Sequence, residues 1–255
     1  MKFLKYATLC LSLFATTASL SSCDKDDDAP AFGEMSMEFE NVVGSSALQL
    51  SGTTPYQTAV GDQFTVTTFR YYISNIRLKE ADGTEFVQPE SYYLVDEALA
   101  PSKTFTIPNI PTGDYTSLTF TVGVDSVRNV DGASRIGALA PGDMFWSWST
   151  GYIYTKLEGR SPQAANGAIV FHIGGFKKPN NTIRTISLGL NGGVIQIRKG
   201  RTPEVHMKAD VLKMFTGLNT IRFATLSNTM GGPNSVLVAN NQAAGMFTVD
   251  HIHGN

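Results

Sequence analysis

Short runs of alternating or continuous apolar residues, interrupted by Gly, Pro, Asn and Asp, extend along the chain after its first 33 residues. Alternation with a period of two is typical of strands that bury one face, and closely spaced turn residues leave little room for long helices. The 24 glycines and 11 prolines of the 255-residue chain supply such turns. The pattern predicts strands at residues 35–39, 64–78, 92–95, 104–107, 118–124, 152–157, 168–173, 182–190, 194–197 and 204–209.

One segment departs from this pattern. Residues 210–215 (DVLKMF) predict one or two helical turns, with Asp210 as the N-cap. Many short strands with regularly spaced turns are typical of a β-sandwich. We therefore predict an all-β fold, an antiparallel, Greek-key-like β-sandwich with one or two short helical turns. No internal repeat or Pro/Ser-rich linker divides residues 34–255, which are predicted to form a single domain.

The N-terminal residues have the pattern of an export signal. Lys2 and Lys5 precede an apolar run that is too short for a permanent membrane span, followed by small residues up to Cys23. Leu20-Ser21-Ser22-Cys23 resembles a bacterial lipobox. We predict a lipoprotein signal peptide at residues 1–22 and a lipid anchor on Cys23, with a plain secretory signal as the alternative.

An acidic run, DKDDD at residues 24–28, follows Cys23. An acidic run at this position resembles the surface-export signal of lipoproteins in Bacteroidetes-type bacteria. Residues 23–33 are therefore predicted to be a tether. The predicted location is the outer membrane, with the domain exposed at the cell surface.

Composition and motifs exclude several classes of function. A formal net charge of −2 argues against a nucleic-acid-binding surface. The two cysteines are Cys10, inside the predicted signal peptide, and Cys23, so the domain has no thiol for a disulfide, a zinc–thiolate site or a nucleophile. Because no GxSxG, P-loop, HExxH or dinucleotide motif is present, we predict that the protein is not an enzyme. Glu158, Asp125 and Asp143 remain candidates for acid–base chemistry.

Four histidines are candidate metal ligands, because imidazole is the usual copper or zinc ligand where thiolate is absent. His251 and His253 are two residues apart, so in an extended strand both rings lie on one side and can bind one ion. A polar chain end is the alternative. His172 lies in an apolar run and is predicted to be buried, as a core residue or as a ligand. His206 shares a strand face with charged residues, which is also typical of a solvated face.

The two tryptophans lie close together in the sequence, at Trp146 and Trp148. Alternation places both rings on one face, where they form either two core anchors or an exposed aromatic surface for sugar stacking or redox chemistry. Met144, Met207 and Met246 can offer thioether sulfur to Cu(I), although core packing is the usual role of methionine.

Seven blocks occur along the chain: FRYYISNIRL (69–78), YYLVD (92–96), GVDSVRN (123–129), MFWSWSTGYIYTKLEG (144–159), FHIGG (171–175), VHMKADVLKMF (205–215) and MFTVDHIH (246–253). In this order they resemble the MbnP-like copper-binding family, over a region from Met35 to the C-terminus. That family is found in methane-oxidising bacteria, as methanobactin-associated periplasmic proteins, and in many Bacteroidetes lipoproteins. The sequence is similar to the Bacteroidetes branch.

The resemblance implies a secreted, β-rich copper-binding protein. In characterised relatives copper is held by histidines and by kynurenine, an oxidised tryptophan that a di-haem partner of the cytochrome c peroxidase type produces. By motif, the implied site of kynurenine is Trp146 or Trp148. The histidines at matching positions are His172, His206, His251 and His253. One departure is that Trp148 occupies the position, two residues after Trp146, where some relatives have histidine.

Two hypotheses of function follow. The first is an exported surface lipoprotein, anchored in outer-membrane lipid through Cys23, that binds copper for storage, buffering or acquisition. The second is a non-catalytic surface lipoprotein that binds a glycan or a protein through an aromatic platform. The platform residues would be Trp146, Trp148, Tyr152 and Tyr154.

Overall fold

The computed structural model describes residues 31–130, 135–140, 142–146, 148 and 151–254. The predicted signal peptide, the predicted lipid anchor Cys23 and the acidic run lie outside these residues. The first strand begins at Phe32, within the segment predicted as the tether. In the described part of the chain, no helix has the length and apolar character needed to cross a membrane.

Strands dominate the described residues, and each of the segments predicted as a strand overlaps one. The sixteen strands are β1 (Phe32–Val43), β2 (Ser46–Ala47), β3 (Tyr56–Gln57), β4 (Gln63–Glu80), β5 (Glu85–Val87), β6 (Tyr92–Asp96), β7 (Thr104–Pro111), β8 (Gly113–Val122), β9 (Phe145–Trp146), β10 (Gly151–Arg160), β11 (Ala168–Gly174), β12 (Arg184–Gly189), β13 (Ile195–Ile197), β14 (Glu204–Asp210), β15 (Asn228–Met230) and β16 (Phe247–His253). The helices are α1 (Ser126–Asn129), α2 (Leu212–Phe215) and α3 (Gly232–Gly245), with 3-10 turns at Ala100–Lys103 and Gly137–Leu139.

The strands form two sheets. The small sheet has the order β16-β14-β1-β2, with β7 also paired to β1. The large sheet has the order β12-β8-β4-β10-β11-β15, to which β3, β5, β6, β9 and β13 attach. Two sheets that bury their facing sides confirm the prediction of an all-β sandwich.

Aromatic rings fill the space between the sheets. Phe39 and Phe247 project from the small sheet, and Tyr71 and Phe120 from the large one. The ring centroids of Phe39 and Tyr71 are 6.0 Å apart, and those of Phe247 and Phe120 are 5.5 Å apart. Edge-to-face contacts at such distances are typical of a well-packed aromatic core.

The sheets are mixed, whereas the sequence analysis predicts antiparallel strands. Strands β1 and β14 pair in parallel, as do β11 and β15, while the other strand pairs are antiparallel among the described residues. Hairpins force antiparallel pairing only between neighbours in sequence. Between β1 and β14 the chain forms most of the large sheet. The two strands are therefore not joined by a hairpin, and they can pair in parallel.

Helix α3 is the main element that the sequence analysis does not predict. Its sequence, GPNSVLVANNQAAG, contains turn-forming residues and buries Asn241 and Gln242 together with Val238. The Gln242 side chain donates to Thr155 Oγ1 at 3.0 Å, and that of Asn241 donates to the Met214 carbonyl at 3.1 Å. A buried face that is partly polar weakens the apolar periodicity on which helix prediction depends.

The predicted helical turn at residues 210–215 is present as α2. Asp210 Oδ1 accepts a hydrogen bond from the Leu212 backbone N–H at 3.0 Å and another from Gly44 at 2.9 Å. The N-cap residue is Val211 and not Asp210 as predicted, because Val211 already has helical backbone angles. The Asp210 carboxylate still satisfies a free amide at the start of the helix and links the helix to the end of β1.

Candidate metal centre

The small sheet presents imidazole and carboxylate side chains on its outer face. Val205 and Met207 of β14 are buried in the core, so His206 between them lies on the outer face. The strand register places Glu38 of β1, His206 of β14 and His251 of β16 in one row across the sheet. Side chains in such a row are direct neighbours.

A β-bulge in β16 adds a carboxylate to this face. His206 pairs with His251 but Met207 pairs with Val249, so Asp250 is the extra residue. In a regular strand Asp250 would lie on the face opposite His251. The bulge interrupts that alternation, and Asp250 Oδ2 lies 2.8 Å from His251 Nδ1.

A second row brings in His253, which pairs with Glu204 of β14. The rings of His251 and His253 lie on the same side of β16, as their spacing predicts. Their Nε2 atoms are 2.8 Å apart, which is a hydrogen-bond distance. One ring therefore donates an N–H and the other accepts it.

His206 lies between the two rows. Its ring stacks on that of His251, with centroids 4.3 Å apart and planes 12° apart, and meets His253 edge-on at 4.8 Å. His206 Nδ1 is 3.1 Å from Glu38 Oε2, and His206 Nε2 is 3.5 Å from Glu204 Oε2. We name the three histidines the histidine cluster: one ligating nitrogen of each lies within 4.8 Å of the others, and Glu38 and Glu204 form a second such group with His206.

Asp250 orients one ring of the histidine cluster. It accepts a hydrogen bond from Lys208 Nζ at 2.6 Å and contacts His251 Nδ1 at 2.8 Å. The hydrogen bond from Lys208, followed by that from His251, lowers the pKa of Asp250. The ionised carboxylate holds a proton on His251 Nδ1, so the lone pair of the neutral ring is on Nε2, which faces His253.

The donor set fits copper. His206 Nε2 is shielded from solvent and makes no hydrogen bond to any described residue, its contact with Glu204 Oε2 being long at 3.5 Å, so it is a candidate ligand atom. Imidazole nitrogens suit copper and zinc, whereas Mg²⁺ and Ca²⁺ prefer oxygen ligands. The rings of His206 and His251 lie in nearly parallel, stacked planes, so an ion in the plane of one ring lies outside the plane of the other, and sharing it requires one ring to rotate about its Cβ–Cγ bond.

The fourth predicted ligand, His172, belongs to the large sheet. It lies in β11 with 9% of its surface exposed, so the expectation of burial is confirmed. Its Nε2 is 2.8 Å from Glu158 Oε1, and Lys156 Nζ is 3.6 Å from the same oxygen. Burial raises the pKa of Glu158, but the hydrogen bond from His172 and the charge of Lys156 outweigh it, and the pKa is lowered. The structure brings together three of the four predicted ligands and places His172 apart from them.

The tryptophans form a pair with unequal exposure. Their ring centroids are 5.4 Å apart, but Trp146 is 7% exposed and Trp148 is 69% exposed. Trp146 packs into a second apolar cluster on the outside of the large sheet, together with Tyr152 and Tyr154. Both tyrosines are almost fully buried, so the predicted four-ring exposed platform is wrong. The physical reason is that β10 is covered on both faces, so alternation exposes neither side.

The methionines and the remaining carboxylates are engaged elsewhere. Met144, Met207 and Met246 are buried in the apolar clusters, which is the usual role of methionine. Asp143 Oδ2 lies 3.4 Å from Lys156 Nζ, which links it to the Glu158 network. The third acid–base candidate, Asp125, accepts a hydrogen bond from Tyr92.

Sequence analysis does not identify two residues of the centre. Glu38 reaches His206 only through the parallel pairing of β1 with β14, which joins segments distant in sequence. Asp250 reaches His251 through the bulge, and regular alternation would place it on the opposite face. The position of Glu204 could be predicted from the sequence, since it lies two residues before His206 and therefore on the same strand face.

Fold and site together define a two-sheet β protein with a cluster of imidazoles on the outer face of its smaller sheet. A model of the MbnP family matches residues 32–233, and the chain belongs to this family. The matched residues include His172 and His206 and end before His251 and His253.

Among solved structures, the chain is similar to MbnP from Methylosinus trichosporium. The TM-score is 0.54 at 16% sequence identity, and the alignment covers 86% of this chain and 98% of that one. At this identity the likeness supports the shared fold alone. No curated protein matches the chain.

Proposed function

We propose that the protein binds copper at His206, His251 and His253 and holds it for storage, buffering or acquisition. The observation that carries the proposal is the convergence of three ligating nitrogens within 4.8 Å on the outer face of the small sheet. Membership of the MbnP family supports a copper-associated role. Copper is favoured over other divalent metals by the Irving–Williams order.

In the histidine cluster, a bound ion would replace the proton of a hydrogen bond between two rings. The hydrogen bond between His251 Nε2 and His253 Nε2 uses one proton. Binding an ion between these nitrogens releases that proton, because ligating imidazoles must be neutral and unprotonated at the bound atom. We therefore expect copper affinity to fall as pH decreases through the imidazole pKa, which is about 6.5 for an unperturbed ring.

Elemental analysis after copper loading tests the proposal. Wild-type protein exposed to Cu(I) or Cu(II) and then desalted should retain about one copper per chain. The triple variant His206→Ala/His251→Ala/His253→Ala should retain none, while His172→Ala, a matched control in the other sheet, should retain as much as wild type. Circular dichroism checks that each variant is folded. Copper retained by the folded triple variant, or lost in His172→Ala, would overturn the assignment.

The proposed location is the outer membrane, with the domain tethered at the cell surface through lipid on Cys23. The lipobox-like sequence and the acidic run support this proposal. Membrane fractionation tests it: the wild-type protein should partition with the outer membrane, and Cys23→Ala should not. Surface exposure is tested by protease treatment of intact cells.

Kynurenine formation at Trp146 or Trp148 by a di-haem partner stays a prediction, as does the absence of enzymatic activity. Both tryptophans lie beside the large sheet, whereas the proposed ligands lie on the small one. Copper binding as proposed therefore involves neither tryptophan. Mass spectrometry of the peptide that contains both residues, from the native host, tests the oxidation directly.

A further inference from the structure

A pocket with a volume of about 420 Å³ lies beside the tryptophan pair. Its wall is built from the strand pair β9–β10, the segment after β11 and the residues that precede α3. Pockets of some 300–1,000 Å³ are typical of small-ligand sites. The histidine cluster does not contribute to it, so any ligand of this pocket is independent of the proposed copper site.

The aromatic side of the pocket is held in place by close packing on glycine. A Cβ atom on Gly174 would lie 2.8 Å from the Trp146 ring, so a larger residue there would displace the indole. Gly231, with φ of +77°, approaches the same two carbon atoms of the ring. Trp148 lies over Trp146 and keeps its own ring open to solvent. The pocket thus has a fixed indole in its wall and an exposed indole at its mouth.

The pocket lining also contains positively charged side chains. Lys177 and Lys178 line the pocket, and no carboxylate does so among the described residues. Neither lysine makes an ion pair within the described part of the chain, and Lys177 Nζ lies 5.2 Å from the Phe176 ring centroid. Two unpaired cations at a pocket of an acidic chain favour a small anionic group over a long polyanion.

Two further features attract an anion. Helix α3 begins at Gly232, which lines the pocket. It has no side-chain cap and no acidic residue in its first turn, so the free backbone amides and the positive end of its dipole are available to an anion. The Trp146 Nε1–H is buried and has no acceptor among the described residues. A buried donor without a partner is unfavourable, so a ligand oxygen that reaches it gains a hydrogen bond.

We propose that this pocket binds an acidic saccharide. The apolar C–H face of a pyranose ring stacks on Trp148, and its carboxylate or sulfate lies between Lys177, Lys178 and the start of α3. The combination of an exposed indole with two lysines that make no ion pair among the described residues fits a ligand that has both a flat apolar face and a negative charge. A neutral sugar would leave the lysines unused, and a simple inorganic anion would leave the indole unused.

Titration of the wild-type protein with a short oligogalacturonate, followed by tryptophan fluorescence and calorimetry, tests the proposal. We expect saturable binding that weakens with added salt. The fully methyl-esterified oligosaccharide, which has the same rings without charge, should bind about tenfold more weakly. A sulfated oligosaccharide serves as the second anionic probe, and 4-hydroxybenzoate as an aromatic acid that is not a sugar.

Variants localise the site. Trp148→Ala and Lys177→Gln/Lys178→Gln should each weaken oligogalacturonate binding about tenfold. Lys199→Gln, an exposed lysine outside the pocket, is the matched control and should bind as wild type. Copper retention should be unchanged in all of them, so this proposal can fail while the copper proposal stands. Equal binding of the methyl ester, tighter binding of 4-hydroxybenzoate, or absence of binding by both anionic saccharides would each overturn it.

Discussion

The outer faces of the two sheets each carry a row of polar side chains with a histidine in it, and the two rows differ in what surrounds the histidine. In the large sheet the row runs Asp96, Arg70, Lys156, His172, and Arg70 Nε lies 2.9 Å from Asp96 Oδ2. Glu158 joins Lys156 to His172 from a neighbouring position. Each charge in this row therefore has a partner of opposite sign.

In the small sheet the corresponding row of Glu38, His206 and His251 also has carboxylate contacts, from Glu38 to His206 and from Asp250 to His251. It differs in that its histidine rings also pack on one another, and His206 Nε2 makes no hydrogen bond to any described residue. His251 and His253 are exposed, whereas His172 is buried. A buried histidine whose nitrogen is already hydrogen-bonded to a carboxylate stabilises the fold, and one with a nitrogen that makes no hydrogen bond and lies among other imidazoles is available to an ion.

The largest expected effect separates the two rows by copper affinity. His206→Ala removes the ring shared by both groups of ligating atoms and should weaken copper binding by more than about 100-fold, since loss of an outer-shell partner alone costs 10–100-fold. His172→Ala should change it by less than about twofold, because distant sites act independently. Competition with a chromogenic copper chelator measures both. Equal losses in the two variants would show that the rows act as one site.

A second prediction separates the rows by stability. His172→Ala removes the hydrogen bond to Glu158 inside the large-sheet network and should lower the free energy of unfolding by about 2 kcal/mol. For a domain of this size the melting temperature should fall by about 4–8 °C. His253→Ala is the matched exposed variant and should change stability by no more than about 0.5 kcal/mol. Thermal unfolding without metal checks the pair, and a larger loss in His253→Ala would contradict the comparison.

The third prediction tests whether the charge of Asp250 contributes to copper binding by the small-sheet row. Asp250→Asn keeps an acceptor near His251 Nδ1 but removes the negative charge, and should weaken copper binding about tenfold. Lys208→Met is the control, because it removes the other partner of Asp250 and leaves the contact with His251 in place. Its effect should be within about threefold. If Lys208→Met has the larger effect, the carboxylate acts through the lysine rather than through the ring.

The strand positions were predictable because alternation with a period of two follows directly from a sheet with one buried face. The sandwich follows from many such strands, and the pairing of His251 with His253 follows from their spacing alone. What the sequence does not specify is which strands become neighbours. Glu38 meets His206 through a parallel pairing across most of the chain, and Asp250 shares a face with His251 only because of a bulge.

Histidine roles were not predictable for a related reason. His172 and His206 both lie in strands with apolar neighbours, and the family resemblance implies both as ligands. Their difference depends on long-range partners, Glu158 across the β10–β11 pair in one case and His251 across β14–β16 in the other. Tyr152 and Tyr154 illustrate the same limit, since alternation in β10 does not reveal that both faces of the strand are covered.

The smallest expected effect tests the charge matching of the large-sheet row by pH. The pKa of Glu158 is lowered in the folded protein, so its ionised form contributes stability above the unfolded pKa of about 4.3. That contribution is lost as pH falls through the lower folded pKa. Glu158→Gln should therefore be less stable than wild type at neutral pH, by less than about 1 kcal/mol because the side chain is a third exposed, and the difference should close in acid. Melting temperatures of both proteins between pH 3 and pH 7 measure this convergence, and a gap that stays constant would mean that Glu158 acts through packing and not through its charge.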